Sequence, residues 1–147
     1  MVERKVGLGQ LVDLVPGARY EVGGGSLPIS GLARDSRRVL PGDLFFALRG
    51  EQSDGHEFVG HAVRRGAAAV ICERSLPSPP PVPCVRVPDG RLAVARMATA
   101  FHGNPFDRLD VLGITGTNGK STTTFILREI LEVAGRKTGL LGTVLYD

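Results

Sequence analysis

Two short stretches of this 147-residue chain hold the residue types that bind phosphate or do polar chemistry. In VLGITGTNGKSTTT, residues 111–124, an apolar run meets Gly113, Gly116 and Gly119, then Lys120 and a row of hydroxyls. Glycines let backbone N–H groups approach an anion, and a helix starting just after them aims unpaired N–H groups and a positive dipole end at the same place. Lys120 can neutralise phosphate charge, and Ser121 can offer its hydroxyl to Mg²⁺. The spacing departs from G-x-x-x-x-G-K-S because position 114 is Ile. A bland glycine-rich strand-to-helix turn is the alternative, but the order strand, GKS, helix favours a nucleoside triphosphate. It does not name the reaction.

The second stretch runs from ARDSRR through GEQSDGHEF. Asp35, Ser36 and Arg37, read from residue types alone, suit an ordinary capped turn with a surface ion pair better than a binding site. Asp54 sits three residues before Glu57, the spacing of a capping box with Asp in place of Ser or Thr, so it reads as a cap rather than a catalyst. His56 and His61 are five apart and do not share a helical face, which argues against a metal pair. They and His102 are assigned surface or helix-end roles.

The elements that would position these residues alternate. Residues 1–40 read as irregular, with a possible short strand in GLARDSRRV ahead of a turn at Pro41 and Gly42. DLFFALRG is expected to be a buried strand, followed by a helix from the Asp54 cap to Gly66 and a strand in GAAAVICE. After the proline-rich loop SLPSPPPVP comes a strand in VPCVRVP, then a helix capped by Asp89 and closed near Gly103 and Pro105. From Asp107, LDVLGIT reads as a strand, Lys120 to Ala134 as a helix closed by Gly135, and RKTGLLGTVLYD as a second strand. Strands alternating with helices at this spacing indicate an α/β protein.

Composition narrows the function classes. With 42% hydrophobic and 22% charged residues, the chain suits one globular domain, or one small domain and part of another. No apolar stretch approaches the ~20 residues needed to span a bilayer, and the N-terminus has no apolar signal core, so a cytoplasmic location and no membrane partner are expected. The net charge of +3 comes mostly from scattered arginines, with no Trp and 5% aromatics, so a nucleic-acid surface is not indicated. Cys72 and Cys84 lie in apolar runs without metal-type or C-x-x-C spacing, and are read as buried reduced thiols.

TGTNGKST, residues 115–122, resembles the ATP-binding signature of the Mur ligase family, in which this variant glycine spacing is the usual form. DSRRVLPGDLFFALRG, DGHEF with its helix and GAAAV, FHGNP, and LLGT extend the resemblance over nearly the whole chain from about Gly31. FHGNP and GTNGKSTTT fit the members that add the third amino acid of the peptidoglycan stem peptide better than those that attach D-Ala-D-Ala. The resemblance implies a small N-terminal α/β UDP-binding domain over residues 1–106, then the first β-loop-α-β unit of a P-loop ATPase domain over 107–147. ATP would be held by Gly116, Thr117, Asn118, Gly119, Lys120, Ser121 and Thr122, with Lys120 catalytic and Ser121 on Mg²⁺. The UDP-substrate would be held by Arg34, Ser36, Glu51, Gln52 and Ser53, with Thr143 lining its passage.

The implied reaction is ATP-dependent amide formation between a diamino acid, L-lysine or meso-diaminopimelate, and UDP-N-acetylmuramoyl dipeptide, by an enzyme that is a monomer at full length. The family also has a longer ATPase domain and a C-terminal domain, so this chain reads as an amino-terminal fragment, inactive by itself. A generic phosphate-binding NTPase and a non-catalytic UDP-sugar-binding module remain as other classes.

Overall fold

The computed structural model describes residues 5–50 and 53–142. The chain divides into two compact units, Met1–Arg108 and Leu109–Asp147. The first unit runs β1 (Val6–Gly7), α1 (Leu8–Val12), β2 (Arg19–Val22), β3 (Pro28–Ile29), β4 (Gly31–Ala33), β5 (Asp43–Ala47), α2 (Val59–Arg64), β6 (Ala69–Cys72), β7 (Cys84–Arg86) and α3 (Gly90–Phe101). The second holds α4 (Lys120–Val133).

Strands of the first unit form a five-stranded sheet of order β2-β7-β6-β5-β4. β4 through β7 run parallel in register, Phe45 opposite Val70 and Val70 opposite Cys84, while β2 pairs antiparallel to β7 at one edge. All five residues of β5 and all four of β6 are buried, as expected of strands covered on both faces. Their side chains alternate between two cores. Leu44, Phe46, Ala69 and Ile71 pack with α1 and α3, through Leu8, Leu11, Ala93, Met97 and Phe101. Phe45, Ala47, Val70 and Cys72 pack on the other face with Val59 and Ala62 of α2. The result is an α/β/α sandwich in which each large side chain contributes about 1.5–3 kcal/mol by leaving water.

The turn at Pro41 and Gly42 forms as expected. Asp43 N donates to Leu40 O at 3.1 Å, Gly42 takes a φ of +92°, and Asp43 folds back to accept from Leu40 N at 2.9 Å. Asp89 caps α3 through Leu92 N at 2.9 Å. Cys72 and Cys84 are free and buried, with sulfurs 3.4 Å apart; their hydrogen bond, then burial, pushes the Cys72 thiol well up.

Three expectations need correction. Residues 1–40 are not irregular, since they supply α1 and β1 to β4. Leu8, Leu11, Val12 and Val15 carry the i, i+3, i+4, i+7 spacing that announces α1, and all four are buried. The Asp54 cap heads a 3-10 turn, Gly55–Phe58, before α2 begins, and its carboxylate accepts from His56 N at 3.0 Å. Neither LDVLGIT nor the described part of RKTGLLGTVLYD forms a strand of two or more residues. A strand exists only as part of a ladder; Leu141 makes an isolated bridge, and neither segment joins a sheet among the described residues.

Candidate functional site

In parallel α/β sheets, ligands bind beyond the carboxyl ends of the strands, where loops diverge. Here the loops leaving β4 and β5 open a cleft of about 660 Å³, lined by Arg34, Ser36, Arg49, Ser53, Phe58 and His61 among others. That volume suits a small-molecule ligand. Three of the five residues expected at a UDP site are thus brought together: Arg34 and Ser36 after β4, and Ser53 after β5. Glu51 and Gln52 lie outside the described residues, as does Thr143.

The DSR segment divides its labour. Asp35 accepts from Arg37 N at 3.0 Å and pairs with the Arg37 guanidinium at 2.7 Å. That hydrogen-bonded guanidinium holds the Asp35 carboxyl well below the usual carboxylate range. Asp35 and Arg37 are therefore the capped turn and surface ion pair that residue types suggest. Ser36 is different: it is buried, and its Oγ lies 3.0 Å from Nδ1 of His61 on α2. Arg34 and Arg49, by contrast, have no ion-pair partner among the described residues, so the cleft offers positive charge to an anion.

The two histidines correct the expectation of surface roles. His56 is buried, with Nδ1 2.5 Å from Asp54 Oδ1 and Nε2 accepting from Glu73 N at 3.0 Å. That pair of bonds fixes the proton on Nδ1. Bonds from His56 and the ion pair with Arg74 at 3.0 Å hold the Asp54 carboxyl well below the usual range. Glu73 accepts from Arg49 N at 3.0 Å and Gly90 N at 3.1 Å, tying the base of the β5 loop to the start of α3. His61, Arg49 and Phe58 of the cleft are the residues the sequence did not reveal. Arg49 ends the buried run DLFFALR, where a charge just past an apolar strand was the available signal.

In the second unit, residues 115–122 are all exposed, and Gly119 takes the left-handed φ of +75° that a strand-to-helix turn of this kind requires. α4 starts there without a side-chain cap. Its first N–H groups are open to an anion. Lys120 Nζ donates to Gly116 O at 2.6 Å, folding the ammonium over the loop. Lys120 and Ser121 thus stand beside the open helix end with the glycines, as the spacing predicts. No group of three or more His, Cys, Asp or Glu able to hold a metal ion occurs among the described residues. A Mg²⁺ here fits only with its oxygens drawn mainly from phosphate and water, beside the Ser121 hydroxyl.

The chain is 51% identical over 121 residues to UDP-N-acetylmuramoyl-L-alanyl-D-glutamate–2,6-diaminopimelate ligase of Geobacillus thermodenitrificans, covering 82% of this chain and 24% of that one. It is 50% identical over 117 residues to UDP-N-acetylmuramyl-tripeptide synthetase of Roseiflexus sp., covering 79% and 23%. The chain thus spans about a quarter of the length of these curated relatives. Among solved structures, a UDP-N-acetylmuramoyl-L-alanyl-D-glutamate–2,6-diaminopimelate ligase matches with TM-score 0.74 at 26% identity over 97% of this chain and 28% of that one. MurF of Acinetobacter baumannii matches with TM-score 0.67 at 29% identity over 90% and 29%. The family described as "Mur ligase family, catalytic domain" matches residues 28–102, the stretch that builds the cleft and most of the sheet. With half of its length under that match, the chain belongs to the Mur ligase family.

Proposed function

We propose that the first unit binds the nucleotide sugar, and the second the ATP phosphates, of a ligase that joins a diamino acid to UDP-N-acetylmuramoyl-L-alanyl-D-glutamate. The observation that carries this reading is the meeting of Arg34, Ser36 and Ser53 in one cleft at the carboxyl ends of β4 and β5. Relatives at about half identity are named for 2,6-diaminopimelate, which favours that diamino acid over lysine and over the D-alanyl-D-alanine for which a neighbouring ligase of Acinetobacter baumannii is named. The domain division at about residues 106 and 107 belongs to the same reading.

The chemistry follows from charge. A γ-carboxylate oxygen of the D-glutamyl residue attacks the γ-phosphorus of ATP, forming an acyl phosphate and releasing ADP. The amine of the diamino acid then attacks the acyl carbon, phosphate leaves, and the amine loses a proton. Phosphoryl transfer depends chiefly on positioning and on neutralising charge spread over the phosphoryl oxygens. Lys120 and the open N–H groups at the start of α4 do this work, and Lys120 must exchange its bond to Gly116 O for phosphate. Mg²⁺, beside Ser121, supplies further neutralisation when bound. In the cleft, Arg34 and Arg49 meet the diphosphate while Ser36 and Ser53 offer hydroxyls to polar edges of the ligand.

Calorimetry with UDP-N-acetylmuramoyl-L-alanyl-D-glutamate and with Mg-ATP, titrated separately into the chain, tests the division. Binding of the nucleotide sugar should weaken about fivefold in Ser36→Ala, the loss of one hydrogen bond, with Lys120→Ala unaffected. Failure of the nucleotide sugar to bind, or a loss on Lys120→Ala instead, would overturn the assignment of the two units. The 147-residue chain alone should form no tripeptide.

A further inference from the structure

We propose that His61 is a positioning residue for nucleotide-sugar recognition: through Nδ1 it holds the Ser36 hydroxyl so that the hydroxyl proton is aimed at an acceptor atom of the ligand. The inference rests on the reading of the cleft as a UDP-sugar site. Ser36 lies on the turn after β4 and His61 on α2, 25 residues apart, and the 3.0 Å contact joins these two elements at the cleft wall. Ser36 is only 7% exposed, whereas its neighbours Asp35 and Arg37 are paired with one another. Ser36 is thus the polar side chain of this turn that faces the cleft without being tied up by the turn itself.

A hydroxyl has one proton and two lone pairs, so the direction of its bond to the ring decides what it presents to the ligand. If Nδ1 carries the proton, it donates to Ser36 Oγ, and the serine proton is left to donate into the cleft. If Nδ1 is bare, the serine proton is committed to the ring and the ligand meets a lone pair. Arg34 and Arg49 line the same cleft, without ion-pair partners among the described residues, and select a ligand rich in acceptor oxygens. Such a ligand needs a donor, which assigns the Nδ1–H form to His61. His56, five residues earlier, shows the contrast: both its nitrogens are sealed between Asp54 and Glu73, and it serves the fold. Among the described residues the His61 ring makes a single hydrogen bond, to a cleft residue.

A double-mutant cycle on the full 147-residue chain tests the proposal, with UDP-N-acetylmuramoyl-L-alanyl-D-glutamate as ligand. His61→Ala and Ser36→Ala should each weaken binding about fivefold, and the double variant no more than either, because His61 acts through Ser36. His61→Asn, which can place an amide N–H near the position of Nδ1, should restore most of the affinity. Imidazole ¹⁵N shifts of the wild-type complex should report the proton of His61 on Nδ1. Additive losses, unchanged affinity in His61→Ala, or an Nε2–H ring in the complex would each overturn the proposal. If Ser36→Ala weakens binding while His61→Ala does not, this inference fails alone; if the wild type does not bind the nucleotide sugar, the reading of the cleft fails and takes the inference with it. Should His61→Ala not fold, His61→Asn and the ring shifts still decide.

Discussion

Helices α3 and α4 both start beside a glycine that follows an apolar segment, yet they are put to opposite uses. At the start of α3, Asp89 accepts from Leu92 N and Glu73 accepts from Gly90 N, so side chains already hold the end that could attract an anion. The same helix buries Ala93, Met97 and Phe101. α4 has no side-chain cap and no buried residue; Ile130 is 59% exposed and Val133 88%. The difference teaches how one chain divides its work. Where the end of a helix is satisfied internally, the helix contributes to a closed core, and where it is left open, the helix is available to phosphate but gains little from packing.

The sharpest way to break this comparison is hydrogen exchange across the two units. Amides of β5 and β6 sit in a ladder buried on both faces and should exchange only when the first unit opens as a whole. Amides of α4 belong to an exposed helix and should exchange by local opening, about 10³-fold faster or more if the first unit has ordinary stability. Deleting residues 109–147 should leave the slow amides of β5 and β6 slow. Equal protection in the two units, or loss of protection in β5 upon that deletion, would erase the distinction.

A second measurement sharpens it side chain by side chain. Phe46 is buried between the sheet and the α1–α3 layer, and Phe46→Ala should cost about 3–5 kcal/mol in urea unfolding, from lost burial plus the cavity left behind. Ile130→Ala removes a similar apolar side chain from a mostly exposed site and should cost less than about 0.5 kcal/mol. A large cost at Ile130 would mean that α4 packs in solution in a way its exposure here does not show.

The same division explains what was legible in the sequence. β5, β6 and α3 are announced by local signals: five consecutive apolar residues from Leu44 to Leu48, an Asp at a helix start, a Pro-Gly pair at a turn. β2 and β3 are not, because Arg19–Val22 is mostly exposed and its strand character comes from pairing with β7, more than sixty residues on. LDVLGIT erred in the other direction. An apolar run reads as a buried strand, but whether it is one depends on neighbours that its own residues do not specify. In the second unit, the turn at Gly119 and Lys120 was legible because a glycine loop at a helix start is a local device. Ser36 was legible only through family resemblance, and His61 not at all, because the contact that gives each its meaning spans from one element to another. α1 alone was missed despite a clear signal, the spacing of Leu8, Leu11, Val12 and Val15.

The smallest expected effect separates the units by acid. Asp54 and Glu132 are both carboxylates held below their usual range, but by different means. Asp54 is held by bonds from His56 and by Arg74, 20 residues away, whereas Glu132 is held by Arg128 and Thr138 within its own helix and the turn after it. A carboxyl with a lowered folded-state pKa contributes stability that is fully present above its ordinary value of about 4, and that is lost as pH falls through the lowered one. Asp54 ties together parts of the first unit that separate when it unfolds, so its proton uptake is coupled to that unfolding. Glu132 stays beside Arg128 as long as the helix persists, and its titration should leave the first unit untouched. Urea unfolding followed by exchange of the β5 amides should therefore show Asp54→Asn less stable than wild type at pH 7, with the gap narrowing from about pH 4 to pH 2 as the wild type loses the same interaction. Glu132→Gln should run parallel to wild type over the whole range. A gap for Asp54→Asn that persists unchanged at pH 2 would mean that its charge contributes nothing to holding the β5 loop against β6. A narrowing gap in Glu132→Gln would mean that the two units unfold together.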